Sequence, residues 1–262
     1  MKRILLTSAD YGLAFGVDRA LRELISAGAL SAVGCLVVSD LWSREYLPLR
    51  DTVDSVRHRT LVGLTLTLTR PFAPLSMRAR GQFGSRFPKA RWWRLWGALR
   101  LLPDEMLAEE VEAQLTCFEE FYQRPADFVH VADELLAVPA LARVVLKQVA
   151  LRRWPPRIVM PQLGPRAATR FARTARDAGL KVLERGPDFP ETIDEAVHVQ
   201  HLRRGMDGLS DRTVVFCQPG EIDDRLRRVE PRARLDTRSA QFAFFKGDTF
   251  PLLLMEKDIF LY

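Results

Sequence analysis

RILLTSADYG, Arg3–Gly12, places an apolar run, Ile4-Leu5-Leu6, ahead of polar residues and a glycine, and the stretch GVDRALRELISAGAL follows at 16–30. The segment after that, AVGCLVVSD at 32–40, is apolar again. A short apolar run, a stretch with apolar residues at helical spacing and a second apolar run read as strand, helix and strand. Strands joined through a helical crossover run parallel. The alternation continues with a strand TLVGLTLTLT at 60–69, a helix at 104–122, a strand DFVHVADE at 127–134 and a helix from Pro139. Beyond these come a strand RIVMPQ at 157–162, a helix AATRFARTARDAG at 167–179 and a strand KVLER at 181–185. A helix from Glu191 to Leu202, a strand TVVFCQPG at 213–220, a helix at 236–246 and a terminal strand complete the pattern. Seven or eight strands linked mostly by helices predict an α/β protein, a TIM-like distorted (β/α) barrel of mostly parallel strands, and 262 residues suit a single domain of that kind.

In such barrels the chemistry sits where the strands end at their C-terminal rim. Asp10, Thr65, His130, Glu134 and Gln218 fall at those ends. His130 and Glu134 are four residues apart, so on one strand they share parity and are expected to point inward together beside Asp10.

One stretch breaks the pattern. RPFAPLSMRARGQFGSRFPKARWWRLWGALRLLP, 70–103, reads as an insertion rich in arginine and aromatic residues. Its latter part is expected to form a short helix with Trp92, Leu95, Trp96, Leu99 and Leu102 along one side and Arg91, Arg94 and Arg100 elsewhere. A basic helix carrying tryptophan can lie in a membrane interface or cover a ligand. Packing of Trp92, Trp93 and Trp96 onto the barrel is the plainer alternative.

Composition narrows the classes further. Lys and Arg number 39 against 33 Asp and Glu, a net charge of +6 that suits an anionic partner and equally suits ordinary solubility. Cys35, Cys117 and Cys217 form no CxxC pair and stand among apolar residues, as buried thiols in a reducing compartment would. The N-terminal apolar run is too short for a signal-peptide core, and the expected location is the cytoplasm, with a peripheral place on the inner face of the membrane as a variant. No P-loop, GxGxxG, GxSxG or nucleic-acid motif appears, so nucleotide and nucleic-acid binding are not expected. His198 and His201, in HVQH, have helical metal spacing but no acid or thiol that completes a set, and His58 sits in a charged RHR turn.

Six segments together resemble a known family. SADYGLAFGVDRAL is similar to an opening motif of two adjacent aspartates, an aromatic, Gly-Leu and a helix starting near Val-Asn. GLTLTLTRP, 63–71, is similar to a Gly-Leu-His-Leu-Asn-Leu-Thr strand, and EVEAQLTCFEEF, 110–121, to a helix with Ala-Gln before an aromatic. DFVHVADELLAVPAL stands where an Asp-Ser-His-Gln-His segment leads into a proline-started helix. VFCQPG, 215–220, stands at a Cys-His-Pro-Gly, and RSAQFAFF, 238–245, at an Arg-Glu-x-Glu helix. The chain thus resembles the YdjC-like carbohydrate deacetylases, among them the chitooligosaccharide deacetylases and the hopanoid-associated HpnK proteins. The resemblance implies hydrolysis of an N-acetyl group on an amino sugar with a divalent metal, Mg or Zn. There a metal polarises the amide and acidifies water, a carboxylate takes the proton and an acid protonates the leaving amine.

Carried over residue by residue, those roles meet replacements. The base position is Ala9, which accepts no proton, while the metal-binding aspartate is kept as Asp10. The metal histidine of the third strand is Thr65. With Pro139 aligned to the family's proline, His130 falls at the aspartate, Ala132 at the first histidine and Glu134 at the next. The histidine before Pro-Gly is Gln218, and the late arginine is kept as Arg238. A general acid or base supplies about 10²- to 10⁴-fold, and loss of ligands removes metal affinity first. The expectation is a homologue with little deacetylase activity that keeps binding of an amino sugar, glycan or glycolipid precursor through Asp10, Thr65, His130, Glu134, Gln218 and Arg238. The rival expectations are an active hydrolase with a remodelled set, Asp10, His130 and Glu134, and a peripheral protein meeting anionic lipid through Trp92, Trp93 and Trp96. An oligomer is compatible with either.

Overall fold

A computed structural model describes residues 2–261. In chain order the elements are β1 (Lys2–Tyr11), α1 (Phe15–Ser26), β2 (Ala32–Cys35), α2 (Trp42–Ser55), β3 (Leu61–Leu66), α3 (Met77–Phe83), α4 (Ala90–Leu99), α5 (Asp104–Tyr122) and β4 (Phe128–Val131). A 3₁₀ turn (Ala132–Ala137) leads into α6 (Pro139–Ala150), followed by β5 (Arg157–Val159), α7 (Pro165–Asp177), β6 (Val182–Leu183), α8 (Glu195–Gln200) and a π turn (His201–Gly205). The chain ends with β7 (Thr213–Phe216), α9 (Asp224–Val229), α10 (Arg232–Lys246), α11 (Thr249–Glu256) and β8 (Ile259–Leu261). The fold is α/β with parallel strands, of the distorted (β/α)-barrel class.

The chain divides into two compact units. The first comprises Met1–Cys35, Leu41–Val62 and Glu184–Tyr262. Its centre is β1, whose Ile4, Leu5 and Leu6 are all buried, as expected of a strand covered on both faces. β1 pairs in parallel with β2 (Thr7 beside Ala32), with β7 (Leu6 beside Val215) and, at its start, with β8 (Lys2 beside Ile259). The β1–β2 register shifts between Ser8 and Tyr11. Such a bulge re-aims the side chains it carries, here Ala9 and Asp10.

The second unit comprises Leu36–Asp40 and Gly63–Leu183. Its strands run in the order β3, β4, β5 and β6, all parallel, with Thr65 beside His130 and Val129 beside Ile158. Gly63 lets β4 approach closely, since a Cβ there would lie 2.5 Å from the Phe128 carbonyl oxygen. Buried residues of α5 (Val111, Leu115, Phe118) and α6 (Leu141, Val145, Leu146) supply much of its core.

The structure departs from the sequence pattern in one place that matters for function. The strand expected over 127–134 stops at Val131, and Asp133 (φ 57°) and Glu134 (φ 56°) take left-handed conformations. The parity argument pairing His130 with Glu134 therefore fails: two left-handed residues swing the chain out of the strand before Glu134 is reached. The turn delivers Val138 in an extended conformation, as a residue ahead of a helix-starting proline requires. The helix expected at 236–246 begins earlier, at Arg232, and α9 precedes it. Cys35 and Cys217 are buried free thiols and Cys117 is partly covered. Among the described residues no helix is long and apolar enough to cross a membrane.

Candidate functional site

In the first unit the site is built around Arg238. Its guanidinium, only 2% exposed, donates from Nη2 to Asp10 Oδ2 at 2.8 Å and grips Glu230 in a bidentate pair, Nε to Oε2 at 2.6 Å and Nη2 to Oε1 at 2.7 Å. Burial pulls the guanidinium pKa down, but the carboxylates of Asp10 and Glu230 outweigh it and hold Arg238 charged. Nη1 also points to the Gln218 carbonyl at 3.4 Å. Asp10 Oδ1 accepts no hydrogen bond from the described residues, and the side chain is 21% exposed, so one carboxylate oxygen is open to a ligand's donor.

Gln218 stands two residues beyond β7. Its backbone N–H donates to Gln241 Oε1 at 2.7 Å, and Gln241 Nε2 donates to the Pro190 carbonyl. Its own Oε1 is buried without a partner, an acceptor that a hydroxyl or amide donor would satisfy. The neighbouring Cys217 thiol is pushed well above its ordinary pKa, first by burial and then by the charge of Asp10, which keeps it protonated and unreactive.

The turn after Asp10 has its own support. Gly12 (φ 95°) adopts a conformation suited to glycine and donates its N–H to Asp18 Oδ1 at 2.6 Å. Asp18 is completely buried and its Oδ2 has no partner. Burial drives its pKa well above the ordinary carboxylate value against the opposing Gly12 hydrogen bond, which favours the neutral acid. Gly16 lies against the loop after β7, where a Cβ would come within 2.3 Å of the Glu221 carbonyl oxygen. Arg225 Nε reaches the Leu13 carbonyl at 3.1 Å.

In the second unit Thr65 and His130 lie side by side on β3 and β4. Thr65 is buried and His130 partly exposed. The buried Gln114 of α5 clamps the end of β3, accepting from the Thr67 N–H and donating to the Thr67 carbonyl, while the buried Glu110 receives Gln114 Nε2 and the N–H groups of Leu75 and Ser76. Glu134 Oε2 accepts the Gln162 N–H at 2.7 Å, tying the turn after β4 to the loop after β5. Thr69 donates to Asp133 Oδ2, and Arg94 of α4 donates to the Asp133 carbonyl.

Helix α4 is thereby fixed to this rim. Trp93 is completely buried with its indole N–H on the Leu68 carbonyl at 2.7 Å, and a Cβ on Gly97 would lie 2.2 Å from Val138. Trp96 stacks on Phe83. The opposite side of α4 leaves Trp92, Leu95 and Leu99 exposed.

The structure thus brings Asp10, Gln218 and Arg238 together in one unit and sets Thr65 against His130 in the other, with Glu134 engaged in a turn. Glu230, Gln241, Asp18, Glu110 and Gln114 were not expected from the sequence; each acts through tertiary partners that no local pattern displays. His198 and His201 pack against Phe189, and burial lowers the pKa of both, which suits neutral rings among aromatics. His58 is exposed.

The donors fit a divalent cation poorly. Asp10 already holds a guanidinium, and among the described residues no group of three or more His, Cys, Asp or Glu side chains gathers that could hold a metal ion.

A parallel α/β fold of the barrel class with a polar rim at its strand ends is the frame in which many hydrolases and binding proteins are built. The sequence profile of YdjC-like proteins matches residues 3–256, and the chain belongs to that family. A crystal structure from Enterococcus faecalis V583, provisionally described as a cellobiose-phosphate cleavage protein, matches with a TM-score of 0.75 at 14% identity, covering 100% of this chain and 97% of that one. At that identity the likeness shows the fold. No curated protein matches the chain in sequence.

Proposed function

We propose that this protein is a YdjC-family carbohydrate-binding protein with little or no deacetylase activity, acting on the cytoplasmic side of the cell. The observation that carries the reading is the Arg238 guanidinium seated on Asp10, next to a residue, Ala9, that has no proton-accepting group. Asp10 Oδ1, on a side chain 21% exposed, is an acceptor for sugar hydroxyl or acetamido N–H groups, and Arg238 holds Asp10 in place as a positioning residue. Hydrogen-bonded recognition of this kind needs no proton transfer.

The test is metal analysis of the purified protein together with calorimetric binding and turnover assays on chitobiose and longer N-acetylated oligosaccharides. Binding without turnover and without a stoichiometric ion is the expected result. A stoichiometric divalent ion, with turnover lost in Asp10→Asn, would overturn it and favour the remodelled hydrolase.

A second reading is supported by α4. Its exposed Trp92, Leu95 and Leu99, interleaved with Arg91, Arg94 and Arg100, have the composition of a surface that meets anionic lipid. Trp93 takes no part, being buried. Sedimentation with phosphatidylglycerol liposomes should fall sharply when Trp92 and Leu95 become alanine; unchanged sedimentation removes this reading.

A further inference from the structure

The helices α6 and α7 enclose a cavity of about 240 Å³ in the second unit, apart from the Asp10 group. Leu136, Leu146, Leu163 and Phe171 form apolar parts of its wall, and the guanidinium-bearing Arg143 and Arg170 line it from the two facing helices. At about 30 Å³ per water the space equals roughly eight water volumes, less than a drug-sized site, which suits part of a ligand such as the end of an alkyl chain.

Charge singles out what belongs there. Over their 12 and 13 residues, α6 and α7 carry Arg143, Lys147, Arg166, Arg170, Arg173 and Arg176 against one acid, Asp177, a net +5 in a chain whose total is +6. All six cations are exposed, and among the described residues none of them is in an ion pair. Cations elsewhere in the protein pair commonly, as Arg152 does with Glu112 and Glu119. An apolar slot between two helices, bordered by unpaired guanidinium groups, complements a molecule with an apolar chain and an anionic head, because the chain leaves water while the head gains charge-assisted hydrogen bonds.

We propose that the α6–α7 cavity binds a single-chain alkyl phosphate, its chain among Leu136, Leu146, Leu163 and Phe171 and its phosphate on Arg143 and Arg170. The site stands independently of the carbohydrate reading, since it uses none of the residues around Asp10.

The experiment is calorimetric titration of the full chain with octyl phosphate below its micelle concentration, beside inorganic phosphate, octanol and phosphatidylglycerol vesicles. Octyl phosphate is expected to bind at least tenfold more tightly than inorganic phosphate or octanol. Arg143→Gln combined with Arg170→Gln should weaken it at least tenfold without changing the thermal midpoint, because both side chains are exposed and unpaired. Ala167→Leu, which projects into the cavity from α7, should weaken it through the chain and leave inorganic phosphate binding as it was. Equal affinity for octyl phosphate and inorganic phosphate reduces the site to a basic patch and overturns the proposal. So does binding confined to the vesicles, which would make this face a membrane contact, and so does octyl phosphate binding that survives both variants.

Discussion

Replacing Arg238 by methionine removes the cation from between two carboxylates and keeps the side chain's length and apolar stem. Asp10 loses its 2.8 Å partner, and Glu230, whose side chain is 9% exposed, loses both bonds of a bidentate pair. Two like charges then face each other with little water to screen them. Breaking a buried pair by removing one partner costs about 3–5 kcal/mol, chiefly through the charges left behind. For a chain of 262 residues each kcal/mol shifts the thermal midpoint by about 2–4 °C, so the expected loss is about 6–20 °C. Asp10→Asn is a different perturbation. Its amide oxygen can still accept from Nη2, Arg238 keeps Glu230, and the cost should be about 1 kcal/mol. Removing one of the two facing charges by adding Glu230→Gln to Arg238→Met, which returns the cluster to its original net charge, should recover part of the loss. Urea unfolding of the four proteins measures these differences directly. If Asp10→Asn costs as much as Arg238→Met, or if the second substitution recovers nothing, Arg238 is not neutralising this pair and the account of the site collapses.

Other expectations follow from the same structure. Burial raises the Asp18 pKa in the fold above its ordinary value of 3.8, so its effect is to lower stability as pH rises from about 4 towards the raised folded value; Asp18→Asn should flatten that slope in urea midpoints taken from pH 4 to 8, and an unchanged slope refutes it. His198 and His201 have lowered pKa values, so the unfolded state binds protons first and stability should fall as pH drops below about 6.5; His198→Phe should reduce that loss in a thermal-midpoint series. Trp93→Ala should cost about 3–5 kcal/mol because it empties a buried site, whereas Trp92→Ala on the exposed side should cost under about 1 kcal/mol. Near-equal losses in those two variants would contradict the orientation of α4.

How much of this was legible in the sequence depended on the range of the interaction. Ile4-Leu5-Leu6, Leu64 and Val214-Val215 announce covered strands because burial on both faces writes a continuous apolar run, and the amphipathic stretches between them write helices. The left-handed pair Asp133 and Glu134 left no such trace: no glycine marks it, and it is held by Thr69, Arg94 and the Gln162 N–H, from 28 to 64 residues away. The bulge that carries Ala9 and Asp10 is equally silent, since it is a property of the β1–β2 register. At the site the residue types could be read but their partners could not. Only the packing of α10 brings Arg238 onto Asp10 across 228 residues. A partly buried carboxylate needs a positive charge beside it or must protonate. Arg238 supplies the charge and Glu230 shares it, so two acids and one base leave a net negative, hydrogen-bond-accepting rim. Such a rim is suited to holding hydroxyl and amide donors.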